Sequence, residues 1–223
     1  MDQGPKSYWA EFLGTFVLCF IGQGAIVVNH IGGGQPGLLG IAIASGLAMA
    51  VMVSALGATS GGHFNPAITL GFVVTGRQSM TSAITYWISQ MLGAVVASFV
   101  LRAVMPGEAG DMVHYGAAVV APGVGMTQAF LLEFVLTFFL VTAVWGTTVD
   151  ERGPLIGGFG IGLCLLMGIL VGGPITGAAM NPARAFGAAL VSGTWGAHAI
   201  YWLGPMLGGA AAARMYNSVI LKR

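Results

Sequence analysis

The tripeptide Asn-Pro-Ala occurs twice in this sequence, at residues 65–67 and 181–183. An Asn side chain caps the first turn of a helix and Pro is favoured at the first helical position, so each copy predicts the start of a helix. The amide of each Asn and the positive end of each helix could act on a polar molecule that passes nearby. The first candidate site residues are therefore Asn65, Pro66, Ala67, Asn181, Pro182 and Ala183.

The sequence around these motifs is typical of a membrane protein. Of its 223 residues, 56% are hydrophobic and only 7% are charged, whereas a soluble domain carries about 25% charged residues. Its surface must therefore face a lipid bilayer. The net charge of +1 without a cluster of Lys and Arg argues against nucleic acid as a partner. No metal site, cofactor or enzyme activity is expected, since no ligand cluster and no set of nucleophile, base and orienting residue occurs.

Apolar stretches long enough to span a membrane position the two motifs. A transmembrane helix needs about 20 mostly apolar residues, and six stretches meet this length: 8–29, 38–58, 82–104, 126–148, 154–173 and 197–218. Two shorter apolar segments, 66–74 and 182–191, rise about 1.5 Å per residue and reach only the middle of the membrane. The sequence predicts an all-α membrane protein with six transmembrane helices and two half-helices.

The distribution of positive charge predicts a cytoplasmic location for both termini. Positive residues concentrate at the N-terminus, in the second and fourth loops and at the C-terminus: Lys6, Arg77, Arg152, Lys222 and Arg223. Cytoplasmic loops carry such an excess. No small-residue cleavage site follows the first apolar run, which we interpret as a retained span. The short termini favour a prokaryotic cell membrane, and a vacuolar membrane is the alternative.

The two halves of the sequence resemble each other. The matched segments, in the same order along each half, are Glu11-Phe12 with Glu133-Phe134, Asn65 with Asn181, Tyr86-Trp87 with Tyr201-Trp202, and Met91-Leu92-Gly93 with Met206-Leu207-Gly208. Because each half holds three spans, the second half is inverted relative to the first. We expect a single channel domain over residues 1–223, with inverted repeats at about 8–104 and 126–218. The positive ends of the half-helices then meet near the membrane middle.

On these motifs the chain resembles the major intrinsic protein family, the aquaporins and aquaglyceroporins. The resemblance is carried by Ser-Gly-Gly-His-Phe-Asn-Pro-Ala at residues 60–67 and Gly-Ala-Ala-Met-Asn-Pro-Ala-Arg at residues 177–184, and it runs from about Trp9 to Tyr216. It implies an hourglass fold, a pore in each subunit, a homotetramer, and the passage of water and small neutral solutes.

The resemblance also implies roles for individual residues. Asn65 and Asn181 would cap the half-helices and point their amides into the pore, orienting each water molecule and interrupting proton transfer. Arg184 would donate hydrogen bonds at an outer constriction and repel cations, the alternative being an arginine that extends to the lipid headgroups. Glu11 and Glu133 would accept hydrogen bonds from the two pore loops. A proton relay is the competing role for these acids, but the chain has only seven acidic residues and four His.

His63 in the first pore loop has two interpretations. By family resemblance it would line the cytoplasmic side of the pore, where pH could modulate flow. Alternatively, it would hold the loop to Glu133 or to backbone.

Three further filter positions follow from the family's spacing: Ser45, Ile169 and Ala178. Strict water channels of the family usually carry Phe, His and often Cys there, so this filter should be wider and more apolar on one side. Backbone shifts or another side chain filling the space is the alternative. Ala185 after Arg184 and the pair Tyr201-Trp202 are instead typical of water channels.

These observations predict a passive water channel that excludes ions and protons and also passes small uncharged solutes. One alternative is a channel whose main cargo is a solute such as glycerol, urea, ammonia, hydrogen peroxide or a metalloid hydroxide. A secondary active transporter would need more acidic residues near the membrane middle. A scaffolding or adhesive protein would need longer outer loops.

Overall fold

The apolar stretches of the sequence fold as α-helices, because backbone inside a bilayer must satisfy its own hydrogen bonds. The computed structural model describes residues 4–221, and the α-helices among them are α1 (Pro5–Ile31), α2 (Gly37–Ser60), α3 (Pro66–Val74), α4 (Met80–Val104), α5 (Gly107–Met112), α6 (Met126–Val144), α7 (Phe159–Thr176), α8 (Pro182–Ser192) and α9 (Ile200–Met215). A 3₁₀ turn forms at His114–Gly116, and π-helical turns continue α6 at Trp145–Val149 and α9 at Tyr216–Ile220. No strand occurs in this part of the chain, which confirms the all-α prediction.

The long helices follow the predicted spans with two differences. Five described helices are long and apolar enough to cross a membrane: α1, α2, α4, α6 with its π-helical turn, and α7. The sixth predicted span, 197–218, contains α9, which has only 16 α-helical residues and is rich in Gly and Ala. The span predicted at 154–173 begins later, at Phe159. Pro154 and the left-handed Gly157 (φ 57°) keep the preceding residues out of the helix.

The two half-helices form where the sequence predicts them. α3 has the predicted bounds, and α8 ends one residue after the predicted end at 191. In each case the Asn before the helix has extended backbone and its side chain accepts a backbone hydrogen bond, which is the geometry of a helix N-cap.

Glycine residues allow the long helices of each half to cross closely. Gly93 of α4 lies against the carbonyl oxygen of Phe12 in α1, and a methyl group on Gly93 would clash with that oxygen. Gly208 of α9 lies in the same way against the carbonyl oxygen of Phe134 in α6. Small residues permit such close backbone approach between membrane helices. The matched sequence segments of the two halves therefore encode one helix crossing that occurs twice.

Each half-helix packs against a long helix of the other half. α3 contacts α9, and α8 contacts α4. A methyl group on Gly209 of α9 would lie 2.8 Å from the carbonyl oxygen of Ala67, and one on Gly187 of α8 would lie 2.6 Å from the backbone of Ala94. The two halves therefore share one interior, which surrounds the non-helical loops before α3 and α8 with protein.

The predicted cytoplasmic segments lie together at one end of the helices. The Arg77 Nη2 atom donates to Asn217 Oδ1 (3.1 Å), and Arg152 Nη2 donates to the Ile220 carbonyl oxygen (3.2 Å). Arg152 also pairs with Asp150 at 2.6 Å, which holds the pKa of that carboxyl below its usual range. Lys222 and Arg223, which supported the predicted orientation, lie outside the described residues.

Replacing Gly208 by Val should destabilise the protein, because the side chain would push α9 away from the Phe134 carbonyl. Overpacking of this kind costs about 1–3 kcal/mol. Thermal unfolding of the purified protein in detergent should show a lower midpoint for Gly208→Val. Gly196→Ala is the control, since a methyl group there would meet no atom of residues 4–221 within 4 Å apart from its neighbours in the chain. Equal unfolding midpoints for the two variants would contradict the close crossing.

Candidate functional site

The two Asn side chains bond each other's loops at the centre of the molecule. The Asn65 Oδ1 atom accepts from the Ala67 N–H (2.9 Å), while its Nδ2 donates to the Met180 carbonyl oxygen (2.7 Å). Asn181 Oδ1 accepts from the Ala183 N–H (3.0 Å), while its Nδ2 donates to the Phe64 carbonyl oxygen (2.8 Å). Each Asn therefore caps its own half-helix and joins it to the loop of the other. Each amide uses one N–H in this contact and retains a second.

Glu11 of α1 holds the loop before α3. Its carboxylate is fully buried and accepts from the backbone N–H groups of His63 (2.9 Å) and Phe64 (2.7 Å). It also accepts from the Ser60 hydroxyl (2.7 Å) and from Gln90 Nε2 (2.7 Å). A buried carboxylate needs partners of this kind, because burying an unpaired charge is very costly. Glu11 thereby fixes the loop that ends at Asn65.

Glu133 of α6 holds the loop before α8 by the same scheme. Its carboxylate accepts from the backbone N–H groups of Ala179 (2.9 Å) and Met180 (2.8 Å) and from the Thr176 hydroxyl (2.7 Å). Among the described residues, no side chain of α9 donates to Glu133 in the way that Gln90 of α4 donates to Glu11. Pro205 occupies the position of α9 that matches Gln90. Glu11 therefore accepts one more side-chain hydrogen bond than Glu133, and the additional bond comes from α4.

The residue before each Asn has left-handed backbone. Phe64 has φ 50° and Met180 has φ 48°, values that a non-glycine residue adopts only at a cost of about 1–3 kcal/mol. In both residues the N–H donates to a buried Glu and the C=O accepts from the opposite Asn. Four hydrogen bonds therefore hold the two strained residues in place.

A narrow cavity passes beside the paired Asn residues. It is lined by Asn65, Asn181, Arg184, Ser45 and Ile169, which lie far apart in the sequence. Most of the remaining wall is apolar: Leu18, Met49, Leu140, Leu165, Ala179 and Met180. The cavity volume is about 20 Å³, and one water molecule needs about 10–15 Å³. The cavity therefore suits molecules in single file.

Ala178 differs from the other predicted filter residues, because it does not line this cavity. Ala178 is buried and faces Gly172 of α7. A methyl group added at Gly172 would lie 3.1 Å from the Cβ atom of Ala178. The next two residues of the same loop, Ala179 and Met180, line the cavity instead. Ala178 is left-handed (φ 44°).

Arg184 lies in the first turn of α8, and its side chain lines the cavity. Its backbone N–H donates to Asn181 Oδ1 (3.3 Å), and only 8% of the residue is exposed. The buried Nη1 atom has no hydrogen-bond partner within residues 4–221. The guanidinium is thus a buried donor with unused hydrogen-bonding capacity at the cavity wall.

His63 belongs to the first loop and lines neither this cavity nor a second cavity between α2, α3 and the π-helical turn after α6. Its Nδ1 lies 3.1 Å from Thr69 Oγ1, and its ring stacks on Phe72 at 4.2 Å between centroids. Phe72 lines the second cavity. The alternative interpretation held this loop to Glu133 or to backbone. The acid that receives the His63 backbone N–H is instead Glu11, and the ring contacts the Thr69 hydroxyl.

Sequence reasoning missed the hydroxyl groups that complete both loops. The Ser60 carbonyl accepts from the Tyr86 hydroxyl, and the Thr176 carbonyl accepts from the Tyr201 hydroxyl, both at 2.8 Å. The sequence matched Tyr86 with Tyr201 in the repeat and indicated a water channel by the pair Tyr201-Trp202, but it assigned neither hydroxyl a bond to a loop. The matching places of Ser60 and Thr176 before the two Asn residues were the signal that could have revealed them.

The comparison with protein families decides the assignment. The family described as Major intrinsic protein matches residues 3–216. The chain belongs to the major intrinsic protein family. Members of this family are channels, and the chain accordingly is not an enzyme.

Two relatives of the chain carry the names of plant aquaporins. The chain is 44% identical to "Probable aquaporin TIP3-2" of Arabidopsis thaliana, over 95% of this chain and 82% of that protein. It is 41% identical to "Aquaporin TIP4-4" of Zea mays, over 97% of this chain and 87% of that protein. Its structure superposes on the aquaglyceroporin from Plasmodium falciparum with a TM-score of 0.87 and 26% identity, over 96% of both chains. The chain is therefore a multi-pass membrane channel with the hourglass fold of this family.

Replacing Glu11 or Glu133 by Gln should destabilise the loops, because an amide group would face backbone N–H donors that need acceptors. An unsatisfied buried donor costs about 1–3 kcal/mol. Thermal unfolding in detergent and water permeability in proteoliposomes should both decrease. Glu151→Gln makes the same chemical change at an exposed loop position and should have no effect. If Glu11→Gln unfolds at the same temperature as Glu151→Gln, the acid does not hold the loop.

Proposed function

We propose that this protein is a passive water channel that also passes small uncharged solutes and excludes ions and protons. The observation that carries the proposal is the reciprocal bonding of Asn65 and Asn181 beside a narrow cavity that Arg184 also lines. The names of the plant relatives, which are aquaporins, support water as the cargo.

Hydrogen-bond donors at the centre of the cavity account for the exclusion of protons. The remaining N–H of each Asn amide and the positive N-terminal ends of α3 and α8 favour a water molecule that presents its oxygen to them. Such a molecule points its own hydrogens away from the centre in both directions. The chain of like-oriented hydrogen bonds that proton transfer requires is then interrupted, and the same positive potential repels cations.

The proposed selectivity filter consists of Ser45, Ile169 and Arg184, whereas Ala178, the fourth residue expected from the family's spacing, does not line the cavity. The Ser45 hydroxyl donates to the Ile41 carbonyl oxygen (2.9 Å), so toward the cavity it offers only an acceptor. Ile169 offers no hydrogen bond. A filter with one charged donor and otherwise small or apolar residues suits neutral solutes larger than water.

A channel whose main cargo is such a solute is the second candidate. The small residue Ser45 at the cavity wall favours it, as does the likeness in structure to an aquaglyceroporin. Ala185 and the pair Tyr201-Trp202 favour water, as the family resemblance implies.

The assembly and the location of the protein extend the proposal. We infer one channel domain over residues 1–223 with inverted repeats at about 8–104 and 126–218, assembled as a homotetramer with both termini in the cytoplasm. The plant TIP relatives, which are tonoplast-type aquaporins, support the vacuolar membrane rather than the prokaryotic cell membrane. Glu11, Glu133 and His63 are proposed to support the pore loops.

Stopped-flow light scattering on proteoliposomes tests the cargo. Vesicles with the protein should shrink faster than empty vesicles in an osmotic gradient, and they should take up urea or glycerol faster as well. Fast water flow with solute uptake equal to that of empty vesicles would restrict the channel to water. Solute uptake without fast water flow would favour the second candidate.

Replacing Arg184 by Ala should raise proton or cation leak several-fold while water flow is kept, because the change removes the positive charge at the cavity wall. A pH-sensitive dye inside the proteoliposomes measures the leak under a membrane potential. Arg77→Ala removes a charge at the cytoplasmic end and should leave the leak unchanged. An unchanged leak in Arg184→Ala would assign ion exclusion to the Asn pair and the helix ends alone.

A further inference from the structure

Gly22 of α1 lines the central cavity at the level of Ser45, although no motif in the sequence marks it. The cavity-facing residues of α1 are Leu18 and Gly22, one helical turn apart. At this position the wall of α1 consists of backbone alone.

The surroundings of Gly22 differ from those of the glycines at helix crossings. A methyl group on Gly93 or Gly208 would strike backbone of a neighbouring helix. Apart from its chain neighbours and the backbone of its own helix, a methyl group on Gly22 would meet only Ser45 among the described residues, at 3.1 Å from the hydroxyl oxygen and 3.8 Å from Cβ. Close packing of α1 therefore does not require glycine here. The missing side chain instead leaves space beside Ser45.

The hydroxyl of Ser45 is held in a defined orientation next to this space. Because it donates to the Ile41 carbonyl oxygen, its lone pairs are the part available to a molecule in the cavity. A methyl group on Gly22 would lie against this oxygen. It would therefore narrow the cavity and cover the acceptor that faces a solute.

We propose that Gly22 is a specificity-determining residue of the filter. Together with Ser45 it sets the width of the cavity between α1 and α2 and exposes the Ser45 hydroxyl oxygen as a hydrogen-bond acceptor. Gly22 adds room for the amide or hydroxyl groups of a small neutral solute, which can donate to Ser45 and accept from Arg184. The inference rests on the proposed passage of such solutes.

Gly22→Ala tests this inference in proteoliposomes, with water and urea permeability measured on the same preparation. The ratio of urea to water permeability should fall by roughly tenfold, since one methyl group in a tight pocket discriminates by about this factor. Gly24→Ala is the matched control on the same helix. Its methyl group would meet only the flexible ends of Leu101 (3.3 Å) and Met105 (3.7 Å), and the ratio should stay at the wild-type value.

The double variant Gly22→Ala/Ser45→Ala isolates the contact between the two residues. Removing the Ser45 hydroxyl takes away the atom closest to the new methyl group. The ratio of urea to water permeability should therefore be higher in the double variant than in Gly22→Ala and lower than in Ser45→Ala. If Gly22→Ala alone folds poorly, the double variant is compared with Ser45→Ala instead. Equal urea-to-water ratios in wild type, Gly22→Ala and Gly24→Ala would overturn the inference.

A failure of the proposed function gives a different result. If vesicles that contain the wild-type protein take up urea no faster than empty vesicles, the proposed passage of urea is wrong. The role of Gly22 is then tested by water permeability instead. Gly22→Ala should then lower water permeability per channel while Gly24→Ala does not. Unchanged water flow in Gly22→Ala would overturn the role of Gly22 in setting the width.

Discussion

Backbone that leaves the helical conformation inside a membrane must find its hydrogen-bond partners within the protein, and the rest of this structure depends on how that constraint is met. The loops before α3 and α8 donate their N–H groups to Glu11 and Glu133, and their carbonyl groups accept from the opposite Asn. Neither loop is satisfied without the other half of the chain. The two half-helices are therefore fixed end to end at the centre.

The same arrangement gives the cavity its chemical character. The polar groups that fix the loops point mostly away from the cavity, which leaves Asn65, Asn181 and Arg184 as donors within a largely apolar wall. A neutral molecule with an oxygen acceptor can meet these donors, whereas a cation would meet positive charge and lose its hydration. The buried carboxylates remain behind the loops, where their hydrogen bonds are already used.

Much of the fold was predictable because it follows from local sequence properties. Apolar length predicted five of the spans, and Asn followed by Pro predicted the start of both half-helices. The start of α7 was predicted too early, because hydrophobicity alone does not register the turn that Pro154 and Gly157 impose. The hydrogen bonds from Tyr86 and Tyr201 to the pore loops were missed, because each joins segments about 25 residues apart and only the matching places of their partners in the two halves indicate them.

The sequence by itself determined that this chain enters a membrane, where its two half-helices begin, and that its two halves repeat one pattern. The membrane spans and the half-helix starts depend on residues close together along the chain. Only the tertiary structure decided which residues face the cavity. Ala178 lies in the expected loop yet packs toward Gly172, while Gly22 lines the cavity without any motif. Which residues line the cavity depends on the rotation of each helix about its axis and on the distances between segments. Both are set by packing among all the helices.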